Sequence, residues 1–243
     1  MLFRSIPWRE LAALCYLGPL LHLFADAWNT YGLHPFWPLD NRWYYGDLVF
    51  IVEPWLWVIL LPVVWKRAES RIGKALPLLL AALMTWLVWT LRYVPLAAAS
   101  AVTFTAIAWL LAQRFLRDRA RIVAAFAAIA LLFGLFGWAS LGLKRAFAGE
   151  GTEVAALPDP GNPFCWTMLA AGFRNGEYRA AAWTAAPWPS LVPASSCRAL
   201  LRATTLVGLE PLEETASDSR IPLGVFRAPR AEYDDVKIGR AHV

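Results

Sequence analysis

Three stretches of this chain contain no charged residue: Ala75–Leu91, Tyr93–Gln113 and Ile122–Leu143. The last two are long enough to cross a hydrocarbon core of roughly 30 Å at about 1.5 Å per residue. The first reaches that length once its flanks are added. Lipid offers no water to the peptide groups, so such segments must satisfy their own hydrogen bonds and form helices. A soluble protein can bury one such run, but hardly a series. Composition points the same way: 58% of the 243 residues are hydrophobic and 17% are charged, against about half and about a quarter in an ordinary soluble domain.

The chain carries a net charge of +5, but this does not indicate nucleic-acid binding. The cations cluster in short connections beside the apolar runs: Lys66, Arg67, Arg71 and Lys74 in one, Arg114, Arg117, Arg119 and Arg121 in the other. That is how cytoplasmic loops of membrane proteins are marked. No helix-turn-helix or zinc-finger spacing is present. Both loops placed in the cytoplasm put residues 32–46 and the C-terminal part outside, with Lys144 and Arg145 as the two dissenting charges.

Five helical segments are expected, over about 9–31, 47–65, 75–94, 97–114 and 121–143, the second of them either spanning fully or entering partway and bending at Pro54. They give an all-α polytopic membrane bundle over 6–145. A linker is expected over 146–163, where EGTEVAALPDPGNP is rich in Gly and Pro. A small α+β domain should follow over 164–237. Within it Asn175-Gly176 signals a two-residue hairpin turn, Ser195 and Ser196 suit the start of a short helix to about Leu206, and Ile221–Arg227 reads as a strand. Cys165 and Cys197 can form a disulfide if this part lies outside the cytoplasm; two unpaired thiols are an equal alternative. Residues 1–5 (MLFRS) and 238–243 (IGRAHV) resemble translated sequencing-adapter read-through, so the natural protein is expected to continue at both ends.

Carboxylates in apolar segments are costly, which makes function their default explanation. His22 and Asp26 stand at i and i+4, on one helix face about 6 Å apart. That spacing suits a divalent metal held by an imidazole nitrogen and a carboxylate oxygen. Asp47 opens the second segment and Glu53 precedes Pro54. Antiparallel packing brings the end of the first segment and the start of the second to one depth, so all four groups can converge. His22 and Asp26 are then expected to face the bundle interior. Bland alternatives exist for each: a hydrogen-bonded His22–Asp26 pair, a helix N-cap at Asp47, and an ion pair of Glu53 with Arg42 or Arg92. His34 suits a solvent-facing aromatic loop better than a further ligand position.

The stretch LGPLLHLFADAWNTYGLHPFWPLDNRWYYGDLVFIVEPWLW, residues 17–57, resembles the core signature of the YdjM/YbcI-type inner-membrane family. His22, Asp26, Asn29, Thr30, Tyr31, Gly32, Asp47, Phe50, Ile51, Pro54 and Trp55 match it, whereas Glu53 replaces the family's usual Asp. NPFCW at 162–166 is similar to the start of the family's C-terminal domain. The resemblance implies a bacterial inner-membrane, metal-dependent hydrolase, distantly similar to zinc-dependent phospholipase C, with a phosphoester or lipid-like substrate. It implies a divalent metal, zinc first, held by His22, Asp26 and Asp47, with Asp47 and Glu53 as catalytic carboxylates and membrane lipid as the partner. The family's upstream His-containing motif has no counterpart here, so this chain alone is expected to be inactive. The competing class is a non-catalytic membrane scaffold or small transporter with a buried polar network.

Overall fold

A computed structural model of the chain describes residues 7–40, 42–90, 94–149, 152–174, 177–197 and 216–229. Five helices come first: α1 (Trp8–Asp26), α2 (Pro54–Arg67), α3 (Arg71–Thr90), α4 (Leu96–Ala112) and α5 (Asp118–Phe147). An antiparallel sheet follows, with β1 (Thr152–Asp159), β2 (Asn162–Arg174), β3 (Glu177–Ala185) and β4 (Arg220–Pro229) in the order β1-β2-β3-β4.

By length and composition α3 and α5 can each cross a membrane, and only 11% and 17% of their apolar windows are buried within the molecule. A soluble core helix of that composition would be mostly covered. Here Leu76, Leu78, Leu79, Val123, Phe126 and Leu131 instead face outward, an apolar surface that suits hydrocarbon. Helix α4 is apolar but shorter. Helix α2 packs on α3, α4 and α5, whereas α1 has no buried residue.

The 30 residues of α5 extend about 45 Å, more than the roughly 30 Å of a hydrocarbon core. Its last turns therefore have length to spare, and they carry the sheet. Phe136, Ala139 and Leu143 form one buried cluster with Ala156, Trp166, Met168 and Ala185. The sheet thus shares its core with α5.

Three expectations change. The second helix starts at Pro54, seven residues after Asp47, because the residue before a proline is pushed out of the helical region; Glu53 is extended at φ −76°, ψ 115° and caps α2 in place of Asp47. The first helix stops at Asp26, since the Asn29 side chain captures the N–H groups of Tyr31 (2.8 Å) and Gly32 (3.2 Å) in a competing turn. The expected linker over 146–163 contains the end of α5 and all of β1; its Gly-Pro content marks the β1–β2 turn. Strand β4 covers the expected 221–227, and β2 and β3 pair as far as Arg174↔Glu177 on either side of Asn175-Gly176. That turn lies outside the described residues, as do Arg92 and residues 198–206 of the expected helix; only a 3-10 turn, Ala194–Ser196, is described there. Cys165 and Cys197 are bonded, with Cα atoms 5.5 Å apart.

Candidate functional site

The segment between α1 and α2 folds back on itself at the sheet end of the bundle. Leu33 and Tyr44 exchange backbone hydrogen bonds of 2.8 and 2.9 Å, and the Trp28 carbonyl accepts from Leu48 (3.0 Å) and Val49 (3.2 Å). Gly46 permits this crossing: a Cβ there would lie 2.7 Å from the Trp28 Cα and collide with the Ala27 carbonyl oxygen. Asp47 then adopts φ 52°, a left-handed conformation that Asp tolerates better than most residues.

A chain of polar contacts runs through this crossing. His22 Nε2 lies 3.3 Å from Asp26 Oδ2. Asn29 Nδ2 donates to Asp26 Oδ1 at 3.1 Å, and the Asn29 carbonyl accepts the Asp47 N–H at 3.3 Å. Asp47, its side chain 1% exposed, pairs with Lys144 Nζ at 2.8 Å in the last turn of α5. The ends of α1 and α5 are thereby joined through the loop.

Glu53 is a second buried carboxylate at this end. Its Oε1 accepts the Trp55 N–H at 3.5 Å, and the N–H groups of Phe50 and Gly161 are turned toward the same carboxylate. The Trp55 indole donates to the Gly161 carbonyl at 3.1 Å. Gly161 has φ 65°, and a Cβ there would stand 3.3 Å from Pro54 Cγ and 3.5 Å from Val102 Cγ2. The tip of the β1–β2 hairpin is therefore seated against α2 and α4, and glycine suits both the backbone and the space.

Sequence reasoning placed His22 and Asp26 together, and they are together. It also expected both to face the bundle interior. The His22 side chain is 78% exposed and that of Asp26 35%, because no described helix covers this face of α1. It did not find Lys144, which it counted only as a topological charge. Nor did it find Asp159 of β1, whose two carboxylate oxygens are buried with no hydrogen-bond partner; burial pushes its pKa well above the usual carboxylate value. Arg42 lies beside Asp40, 3.7 Å away. His34 stacks on Trp43, ring centroids 4.9 Å apart, an aromatic-loop role. Among the described residues no three His, Cys, Asp or Glu side chains gather as a metal site. The His22–Asp26 pair offers two ligand atoms where a catalytic zinc takes three, so the described residues do not by themselves complete such a site.

Residues 1–95 match the model of a family described as YdjM inner membrane protein, and over that part, which holds the whole chain from His22 to Glu53, this protein is similar to that family. No curated protein matches the chain, and no solved structure does.

Proposed function

We propose that this chain is a membrane-embedded, metal-dependent hydrolase of the bacterial inner membrane, acting at the outer face on a phosphoester or lipid-like substrate. On this reading His22 and Asp26 supply two ligands of a divalent metal, zinc first in line. The observation that carries it is the His22–Asp26 pair: an imidazole nitrogen and a carboxylate oxygen 3.3 Å apart on an accessible turn, with the other carboxylate oxygen held by Asn29. Such an outer partner is what usually orients a ligating side chain. Asp47 and Glu53, expected from the sequence as catalytic carboxylates with Asp47 also a metal ligand, take on this reading the role of carboxylates that orient the site. Asp47 does so through its ion pair with Lys144, and Glu53 through the α2 N-terminus and the hairpin tip.

Two features support the outward placement of this end. The basic connections between α2 and α3 and between α4 and α5 lie at the opposite end of the helices. The Cys165–Cys197 bond suits an oxidising compartment.

Zinc titration of the purified chain in detergent tests the ligand assignment. His22→Ala and Asp26→Asn should each weaken zinc binding by more than the roughly 10–100-fold typical of losing an outer-shell partner, with membrane insertion unchanged. Zinc affinity equal to that of the unmodified chain in both variants would remove the metal reading. The non-catalytic scaffold or transporter reading would then stand, favoured by the buried Asp47–Lys144 pair, which holds the bundle end together without any ligand.

A further inference from the structure

On the flank of α5 the sheet leaves a half-open pocket of about 460 Å³, within the size range of ligand sites. One wall is the end of α5, where Trp138, Gly142 and Phe147 line it; the other is Trp188 after β3, with Ser219 and Arg220 where β4 begins. That second wall is fixed in place. The Ser219 carbonyl accepts the Ala186 N–H at 2.8 Å, and the Asp218 carbonyl accepts that of Ala194 at 2.7 Å. The Trp188 ring meets Trp138 at 5.5 Å and Phe164 at 5.7 Å. On the α5 side a Cβ at Gly142 would meet nothing within 4 Å, so the space there is open.

Polarity changes along the pocket. Arg220 is the one charged side chain among the described lining residues, and its guanidinium carbon lies 5.4 Å from the centroid of the Phe147 ring, at the outer end of α5. The other end, beside the exposed Trp138, is apolar. The charge-free run Ile122–Leu143 is about 33 Å long at the helical rise, enough to fill a hydrocarbon core of roughly 30 Å. Phe147 then stands about 6 Å beyond it, inside a headgroup layer that adds roughly 5–8 Å on each side. Arg220 is thus at the depth of lipid phosphates, and Trp138 at the depth of acyl chains.

We infer that this pocket holds one anionic phospholipid of the leaflet on the sheet side, its phosphate on the Arg220 guanidinium and the start of one acyl chain along Gly142 and Trp138. A guanidinium presents paired N–H groups to phosphate oxygens, and one cation beside an apolar floor matches a single negative charge joined to hydrocarbon. The exposed Arg145 in the last turn of α5 adds to the attraction, whereas Lys144 is engaged by Asp47. No carboxylate is among the described lining residues, so the site offers nothing to the ammonium of a zwitterionic head. It uses no residue of the His22–Asp26 centre and holds whichever side of the membrane the sheet occupies.

Native mass spectrometry of the full chain in detergent, with dioleoylphosphatidylglycerol added, counts the bound lipid. One lipid per chain should be retained at saturation, and dioleoylglycerol, which lacks the phosphate, should bind about tenfold more weakly or worse. Arg220→Gln and Gly142→Leu should each weaken phosphatidylglycerol binding about tenfold or more. Gly134→Leu makes the same change on the same helix, also into open space but outside the pocket, and should leave binding unchanged. Adducts that grow without saturating, equal binding of dioleoylglycerol, or equal effects of the two glycine variants would overturn the site. The comparison of the two lipids uses the unmodified chain, so it decides even if a variant does not fold.

Discussion

Replacing Lys144 by Met should destabilise the protein by about 3 kcal/mol, although the change adds an apolar side chain near the membrane boundary. The reason lies with its partner. Asp47 is 1% exposed and held in place by the crossing of the α1–α2 segment. Removing one member of a buried pair leaves the other charge without compensation, at about 3–5 kcal/mol; the 29% exposure of Lys144 places the expected loss at the lower end. The double variant Asp47→Asn/Lys144→Met should recover most of it, because no bare charge remains. Denaturant unfolding in detergent, arranged as a double-mutant cycle, measures the coupling. A single-variant loss below about 1 kcal/mol would class the pair with exposed salt bridges and detach α5 from the polar chain.

Trp166→Ala should have an effect at least as large. The indole is fully buried, packs on Phe136 of α5 at 5.8 Å and donates to the Pro163 carbonyl at 2.8 Å. Aromatic-to-alanine changes in a core cost about 3–5 kcal/mol, a fall in Tm on the order of 10 °C for a chain of this size. Trp166 joins the sheet to α5, so limited proteolysis should show new cleavage beyond residue 147 while the helical part stays intact. Uniform loss of protection across both parts would indicate instead that the sheet is needed for the bundle to fold.

The helices were legible because charge-free runs have few other ways to exist in lipid. Their ends were not. The break after Asp26 depends on the side chain of Asn29 competing for backbone donors, and the late start of α2 on Pro54 restricting Glu53. Both are local effects of one residue, outweighed in a hydropathy reading by the apolar residues around them. Strand β1 was missed because Gly and Pro at its ends hid the residues that pair with β2. At the candidate site, the His22–Asp26 contact follows from helical spacing and was readable directly. The Asp47–Lys144 pair was not: its members are remote in sequence, and the chain crossing that joins them needs Gly46 and a left-handed Asp47. The Glu53–Gly161 junction was hidden for the same reason, since neither residue carries a pattern that points to the other.

The outer-face polar centre is the claim on which the functional reading depends, and topology tests it most directly. The full chain fused at its C-terminus to alkaline phosphatase, and separately to a fluorescent protein that matures only in the cytosol, reports the side on which the sheet lies. Strong phosphatase activity with a dark fluorescent fusion is the predicted result, with Cys165 and Cys197 resistant to thiol alkylation until reduced. A bright fluorescent fusion with inactive phosphatase and freely alkylated cysteines would place the polar centre in the cytoplasm and contradict the account.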